Sequence, residues 1–264
     1  MSDRKTKTIC FTNNKGGSGK STSCANLGYE LAKAGKKVLL IDGDMQLNLS
    51  LSFFDEEKVL EMAECEANLY YAIRAKKDLL DYVVSTPYEN LDLIPSSTLM
   101  SQIEYELFTM IQREYVLKKC LKSIYESEKY DYVLIDAPPT LGTWVINILC
   151  TADYVIVPVE ASPWGLFGLA NMFDFLNGME EMTEAQIMGV LITKVDERKN
   201  YYKQTREILD AYEDIYVFDT FIHVDSSIEW AQDNSVPVAV YKKSTRSTKE
   251  YCELAKEVMN YGSR

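Results

Sequence analysis

The feature that most constrains this chain is a glycine-rich loop between an apolar strand pattern and a helical pattern, in TICFTNNKGGSGKSTSCANL at residues 8–27. Its three glycines allow the backbone to approach phosphate oxygens, while loop N–H groups and the helix N-terminus supply partial positive charge. Lys20 can neutralise the β- and γ-phosphate oxygens of a nucleotide, and Ser21 can ligate Mg²⁺. The predicted phosphate-binding residues are Lys15, Gly16, Gly17, Ser18, Gly19, Lys20, Ser21 and Thr22.

Short β-branched or aromatic runs alternate with helical patterns along the chain. The runs are TICFT, KKVLLID, LDLIP, YDYVLID, DYVIVPV, IMGVLIT and IYVFDTFI. Such near-continuous apolar runs are typical of strands buried on both faces and joined by right-handed βαβ crossovers. We therefore expect an α/β fold, a doubly wound, mostly parallel sheet with flanking helices, formed by a single P-loop domain over residues 1–264. Residues 99–130 predict a helix whose apolar stripe includes Ile103, Leu107, Ile111 and Leu117.

Composition limits the class of protein. The segment MSDRKTKTICFTNN has no apolar run long enough for a signal peptide, and no later window approaches a membrane span, so we expect a cytoplasmic protein. The six cysteines are scattered and only one histidine is present, which favours reduced, mostly buried thiols over a zinc site or disulfides. The net charge is −12, and such a surface repels nucleic-acid phosphates unless its basic residues are gathered locally.

A departure inside the loop carries a family resemblance. Asn14 replaces the first glycine of the general G-x-x-x-x-G-K-[ST] pattern, and Lys15 follows it. This arrangement resembles the deviant Walker A motif K-G-G-x-G-K-[ST] of the ParA/MinD family of ATPases. Further segments are similar to that family's later motifs: KKVLLIDGDMQLNLS, YDYVLIDAPPTLG, GVLITKVDERKN and VPVAVYKKSTRSTKEYCELAKEV. Together these segments extend the resemblance over most of the chain.

The resemblance implies an ATPase that binds ATP and Mg²⁺ and closes as an ATP-dependent homodimer. In the family, the lysine that corresponds to Lys15 crosses the dimer interface and touches the ATP of the other subunit. Asp44 is implied to orient or activate the attacking water, so the predicted catalytic residues are Asp44, Lys15 and Lys20. Met45 and Leu47 replace the usual proline and glycine beside Asp44, from which we expect slow hydrolysis.

Asp136 ends an apolar strand, where its carboxylate can hold Mg²⁺ through a water while the strand stays dry, as in a Walker B motif. The predicted metal-binding residues are therefore Ser21 and Asp136. Two roles stay open for Asp42, which lies closer to the end of its own strand. It either supports a Mg²⁺-bound water or Lys20, or it caps the strand.

The segment TKVD, residues 193–196, permits a GTPase alternative, because it looks like the base-recognition element of signal-recognition-particle GTPases. The rest of that signature is missing, and the alternative leaves Lys15 unexplained. Asp196 is also expected from the ParA pattern, so ATP is the predicted nucleotide. We assign no chemistry to the single histidine, His223.

Partition ATPases of this family bind DNA through arginines in a segment whose counterpart here is FIHVDSSIEWA. Val224 and Ser227 stand at the two arginine positions. The remaining candidates for non-specific DNA contact are Lys242, Lys243 and Arg246 in YKKSTRSTKEY, and a solvated loop is the alternative interpretation of that segment.

The resemblance also implies a role in plasmid or chromosome partition and a partner, a ParB-like centromere-binding protein that accelerates hydrolysis. The alternative from another class is a nucleotide-switched cargo-positioning or assembly protein that does not use DNA as its track. The segment LAKEVMNYGSR lacks the bulky apolar and basic faces of a membrane-targeting helix, so we expect no membrane partner. If the protein binds DNA, we expect it on the nucleoid.

Overall fold

The computed structural model describes residues 5–210 and 215–261, and these ranges form seven strands and thirteen α-helices. The strands are β1 (Lys7–Phe11), β2 (Val38–Asp42), β3 (Val84–Ser85), β4 (Leu91–Ile94), β5 (Tyr132–Asp136), β6 (Tyr154–Glu160) and β7 (Gln186–Thr193). The helices are α1 (Lys20–Lys33), α2 (Asn48–Leu51), α3 (Glu56–Glu64), α4 (Leu69–Ala75), α5 (Ile103–Phe108), α6 (Val116–Cys120), α7 (Lys122–Glu126), α8 (Thr143–Thr151), α9 (Pro163–Asn177), α10 (Tyr201–Asp210), α11 (Ser226–Asp233), α12 (Val238–Tyr241) and α13 (Arg246–Met259).

The seven strands form one sheet in the order β3-β4-β2-β5-β1-β6-β7. All neighbouring pairs are parallel except β3 and β4 at one edge. Every residue of β2 and β5 is buried, because helices cover both faces of the sheet. The predicted doubly wound, mostly parallel α/β fold is confirmed.

Alternate residues of the strands supply two separate cores. Leu40 of β2 belongs to the core that contains Leu27 of α1 and residues of α13. Its neighbour Ile41 belongs to the opposite core, with Ile148 of α8. This alternation follows from the two-residue period of a strand. The sheet therefore separates two layers of helices, and the loops at its carboxyl edge are left to form a site.

The continuous helix predicted over residues 99–130 is wrong. Gln112 has a φ of 52° and interrupts the chain between α5 and α6. Because a left-handed residue resets the helical phase, apolar spacing across it no longer defines one face. Ile111 is accordingly 86% exposed. The other three residues of the predicted stripe are buried, namely Ile103, Leu107 and Leu117.

The run IYVFDTFI, residues 215–222, does not form the strand that its composition predicts. It meets β7 through an isolated bridge at Val217 and through a backbone hydrogen bond from the Ile222 N–H to the Ile192 carbonyl at 2.9 Å. The next backbone N–H groups, of Asp219 and Thr220, donate instead to the Glu257 carboxylate at 3.0 and 2.8 Å. This side chain takes the donors that a strand ladder would need, so the pairing is interrupted until Ile222.

All six cysteines are free thiols and four of them are buried, as expected. Burial raises the pKa of the Cys10 thiol to about 12, so that group stays protonated. In the part of the chain that the structure describes, no helix combines the length and the apolar character needed to span a bilayer.

Candidate functional site

The glycine-rich loop lies at the carboxyl edge of the sheet, between the end of β1 and the start of α1. Since β1 lies between β5 and β6, the loop has Asp136 at the end of one neighbouring strand and Glu160 at the end of the other. A cavity of about 520 Å³ opens over the loop. Open α/β sheets bind ligands at this edge, and the volume suits a nucleotide-sized ligand.

The loop backbone presents hydrogen-bond donors to this cavity. Gly17 and Gly19 have φ angles of 73° and 89°, in the left-handed region that favours glycine. No side chain caps the N-terminus of α1, so its first N–H groups can bind phosphate oxygens. The Thr193 hydroxyl donates to the Ser18 carbonyl at 2.8 Å and fastens the loop to β7. Residues 16–22 all line the cavity, whereas Lys15 does not.

Lys20 is buried among carboxylates. Its Nζ donates to the Lys15 carbonyl at 3.2 Å. Burial lowers the pKa of Lys20, and the negative charges of Asp136 and Asp44 oppose that shift. The ammonium group of Lys20 thus has one neutral acceptor in a largely buried site, which suits it to bind phosphate oxygens.

Asp136 is fully buried, and neither of its carboxylate oxygens accepts a hydrogen bond within the described residues. Burial raises the pKa of Asp136 well above its ordinary value and the charge of Asp42 adds to the rise, while the charge of Lys20 opposes it. A divalent cation would compensate such a carboxylate, so Asp136 and Ser21 fit Mg²⁺. No three His, Cys, Asp or Glu side chains of the described residues form a metal cage. Mg²⁺ does not require one, because it keeps waters and substrate phosphates as ligands.

Asp42 organises the loop after β2. One carboxylate oxygen accepts the Ser50 N–H at 2.9 Å and the Ser50 hydroxyl at 2.6 Å, and the other accepts the Asp44 N–H at 3.3 Å. Burial raises the pKa of Asp42 to about 6 against these hydrogen bonds. Of the two roles left open for Asp42, the contacts favour capping the strand and holding the loop. Asp44 itself lines the cavity, and its Oδ1 accepts the Gln46 N–H at 3.1 Å.

A tryptophan that sequence reasoning missed supports the same loop. Trp144 at the start of α8 is 1% exposed, and its indole N–H donates to the Gly43 carbonyl at 2.9 Å. Glu104 of α5 accepts the backbone N–H groups of Thr143 and Trp144 at 2.9 and 3.1 Å. The only sequence signal was the position of Trp144, two residues after the motif YDYVLIDAPPTLG.

Lys15 points away from the cavity. Its Nζ donates to Glu160 Oε2 at 2.7 Å and to the Ser162 hydroxyl at 3.2 Å. Its backbone N–H donates to Asn13 Oδ1 at 2.9 Å. The lysine singled out by the family resemblance is therefore held by its own chain, on the β6 side of the loop.

His223 lines the cavity and is surrounded by charged side chains that lie outside the lining. His223 is buried, with Nδ1 2.5 Å from Glu250 and Nε2 3.1 Å from Glu197. Arg246 contacts His223 and donates to Glu197 at 2.7 Å and to Glu250 at 3.0 Å. His223 thus has a set of charged partners that its isolated position in the sequence did not reveal.

The aspartate of the TKVD segment faces away from the cavity. The Asp196 carboxylate binds the Arg198 guanidinium at 2.8 and 2.9 Å. These hydrogen bonds lower the pKa of Asp196 to about 2. Thr193 and Lys194 line the cavity, but Asp196 does not. The group that a guanine base would require is engaged with Arg198.

The candidate DNA contacts are not equivalent. Lys242 and Lys243 are exposed, whereas the charge of Arg246 is compensated by Glu197 and Glu250. The structure also gathers cations that sequence reasoning missed, in a cavity of about 330 Å³ beside α4, α6 and α7. We call this the lysine cluster, formed by Lys76, Lys77, Lys119 and Lys122.

The chain is similar to known proteins in sequence and in fold. A family model described as an AAA domain (AAA_31) matches residues 6–190. The chain is 35% identical over 258 residues to the sporulation initiation inhibitor protein Soj of Bacillus subtilis (strain 168), covering 97% of this chain and 99% of Soj. It is 30% identical over 262 residues to the chromosome partitioning protein ParA of Caulobacter vibrioides (strain NA1000 / CB15N), covering 98% and 96%. A putative plasmid partition protein from Borrelia burgdorferi, crystallised with AMPPNP, superimposes with a TM-score of 0.81 at 25% identity, covering 97% and 99%.

Proposed function

The chain belongs to the ParA/Soj family of partition ATPases, and on that premise we propose that it drives plasmid or chromosome partition. In this proposal it binds ATP with Mg²⁺, closes as a nucleotide-sandwich homodimer and hydrolyses ATP slowly. Hydrolysis then resets the dimer.

The orientation of the two loop lysines carries the proposal. Lys20 lies within the cavity, where the negative charges of Asp136 and Asp44 favour its protonated form. Lys15 lies outside the lining and is bonded to Glu160. A triphosphate in the cavity would be contacted by Lys20 of its own chain, which leaves Lys15 available to a nucleotide on a second subunit.

The residues of one chain divide the work on ATP. Lys20 and the N–H groups of residues 16–22 would bind the phosphates, and Ser21 and Asp136 would hold Mg²⁺. When bound, Mg²⁺ neutralises charge on the β- and γ-oxygens. Asp44 would orient the attacking water from a loop whose backbone is held by Asp42.

Partners and location follow from the family. A ParB-like centromere-binding protein would accelerate hydrolysis, and Lys242, Lys243 and Arg246 would contact DNA non-specifically from a cytoplasmic protein on the nucleoid. The alternative is a cargo-positioning protein that does not use DNA as its track, which the compensated charge of Arg246 favours. The engagement of Asp196 with Arg198 supports ATP over GTP.

Sedimentation of the wild type and Lys15→Ala with ADP and with a non-hydrolysable ATP analogue tests the proposal. The wild type should dimerise with the analogue but not with ADP. Lys15→Ala should bind the analogue and stay monomeric, while the control Lys118→Ala, at an exposed lysine of α6, should behave as wild type. Equal dimerisation of Lys15→Ala and wild type, or no response to nucleotide in either, would contradict the trans-lysine mechanism.

A further inference from the structure

We propose that Trp144 is a positioning residue for Asp44, acting through the carbonyl of Gly43, and that Glu104 fixes Trp144 in that role. The inference rests on the proposed function, in which Asp44 orients the attacking water. It concerns residues outside the nucleotide cavity, since neither Trp144 nor Glu104 lines it.

Gly43 is held on both sides of its Cα. Its N–H donates to the Asp136 carbonyl at 3.0 Å, and its carbonyl accepts the Trp144 indole N–H at 2.9 Å. A Cβ on Gly43 would lie 2.6 Å from the Asp136 carbonyl oxygen and 3.4 Å from Trp144 Nε1. The peptide that leads into Asp44 is therefore fixed between the end of β5 and the start of α8. No side chain could be added there without displacing one of these contacts.

The Trp144 contact is buried and specific. A buried indole N–H must find an acceptor, and here the acceptor is the carbonyl immediately before the predicted catalytic residue. Without the N–H, that carbonyl would lose a partner in a dry environment and the Gly43–Asp44 peptide could rotate. The carboxylate of Asp44, whose position depends on this peptide, would then populate orientations that do not face the water.

Glu104 holds the other end of Trp144. Its carboxylate accepts the N–H groups of Thr143 and Trp144, which at the start of α8 have no carbonyl partner within the helix. A Cβ on Gly142 would overlap Glu104, so the approach is close. Glu104 thus fixes the turn that follows Asp136 and Pro138 together with Trp144. A shift of that turn would be transmitted to Asp44 through the Trp144 indole and the Gly43 carbonyl.

The variant Trp144→Phe keeps one aromatic ring and removes the N–H donor together with the five-membered ring that carries it. We expect its kcat for ATP hydrolysis to fall by about three- to tenfold, the range for one buried neutral hydrogen bond. The KM for ATP and analogue-driven dimerisation should stay within about twofold of wild type. The control Trp230→Phe changes a tryptophan of α11 that is 53% exposed, and it should leave kcat unchanged.

A double-mutant cycle with Asp44→Ala separates positioning from general packing. If Trp144 acts through Asp44, Trp144→Phe should cause no further loss in the Asp44→Ala background. An equal loss in both backgrounds would overturn the inference, as would an unchanged kcat of Trp144→Phe. Loss of dimerisation in parallel with kcat would also overturn it, because that pattern indicates a structural role. A wild-type rate for Asp44→Ala would instead remove the catalytic assignment on which both proposals depend.

Two substitutions of Glu104 provide the second arm. Glu104→Gln keeps one acceptor for the α8 N–H groups, and Glu104→Ala keeps none. We expect Glu104→Ala to reproduce the kcat loss of Trp144→Phe and Glu104→Gln to recover at least half of it. If Gln and Ala have the same effect on kcat, the Glu104 contact does not position Trp144.

Discussion

Two lysines five residues apart in one loop point in opposite directions, Lys20 into the cavity and Lys15 toward Glu160. The spacing of the motif predicts both lysines but not the partner of either in the isolated chain. The partner of each lysine depends on which strands end on either side of β1, and the order of strands in the sheet is known only from the structure. At the scale of the residue, the ion pair between Lys15 and Glu160 would be a resting contact that the proposed dimerisation must break.

Glu160→Gln should make dimerisation easier. The Lys15 and Glu160 side chains are 26% and 29% exposed, so the ion pair contributes about 1 kcal/mol at most. Without it, Lys15 is released at lower cost, and because each subunit of the dimer loses one such pair, the dimerisation constant with a non-hydrolysable ATP analogue should improve by about five- to thirtyfold. Sedimentation over a series of protein concentrations measures this change.

Glu253→Gln is the matched control, because it removes a surface ion pair with Lys256 on α13. It should leave the dimerisation constant unchanged. Weaker dimerisation of Glu160→Gln would show that Glu160 stabilises the dimer and not the monomer.

At the scale of the element, burying the carboxylates at the ends of β2 and β5 costs free energy of folding in the nucleotide-free protein. Asp136→Asn removes a buried carboxylate whose oxygens lack donors within the described residues. We expect the melting temperature of the nucleotide-free protein to rise by about 5 °C, since a neutral amide is less costly to bury. Addition of Mg²⁺ and ATP should then stabilise the variant much less than the wild type, as scanning calorimetry would record.

The exposed Asp233→Asn, at the end of α11, is the control for Asp136→Asn and should move neither melting temperature. A lower melting temperature for nucleotide-free Asp136→Asn would mean that donors outside the described contacts stabilise the carboxylate.

Asp42 predicts an unusual dependence of stability on pH. Its pKa is about 6 in the folded protein against an ordinary 3.8, so the folded state binds the proton more tightly than the unfolded state. The contribution of this group to stability is therefore greatest at low pH and is lost as the pH rises from about 4 to about 6, by up to about 3 kcal/mol. Asp42→Asn should remove that contribution.

Urea unfolding of the nucleotide-free wild type and Asp42→Asn at several pH values from about 4 to 7 tests this point. Relative to wild type, the variant should be most stable at pH 7 and lose that advantage toward pH 4. A difference that is independent of pH would show that Asp42 titrates as an ordinary aspartate.

Elements with continuous apolar composition were predictable from the sequence, and those that depend on a single backbone angle or a distant side chain were not. The buried run VLLID of β2 could only be a strand between two helical layers. The interruption at Gln112 requires a left-handed backbone conformation, and no glycine stands at that position to indicate it. The interruption of pairing after Val217 involves Glu257, which is remote in the chain. The same holds for the candidate site. The phosphate-binding loop was predictable from its motif, but the contact between Trp144 and Gly43 was not, because it joins two segments that are distant in the sequence.

At the scale of the whole molecule, a net charge of −12 makes any contact with DNA local. If Lys242 and Lys243 form that contact, Lys242→Glu/Lys243→Glu should weaken retention of DNA in the presence of ATP. The slope of log affinity against log salt should fall by about 2 for each bound subunit. Filter binding or fluorescence anisotropy over a range of salt concentrations provides both quantities.

Lys76→Glu/Lys77→Glu makes the same change of charge in the lysine cluster and serves as the comparison. A loss of retention in this variant alone would move the DNA contact to the lysine cluster. If the wild type itself retains no DNA with ATP at modest salt, the cargo-positioning alternative is favoured.

The position of β1 between β5 and β6 has a consequence for how such proteins diverge. Asp136, which we propose holds Mg²⁺, ends one neighbouring strand, and Glu160, which restrains Lys15, ends the other. Substitution of Glu160, the last residue of β6, could therefore change the dimerisation affinity during evolution while the proposed hydrolytic residues stay the same.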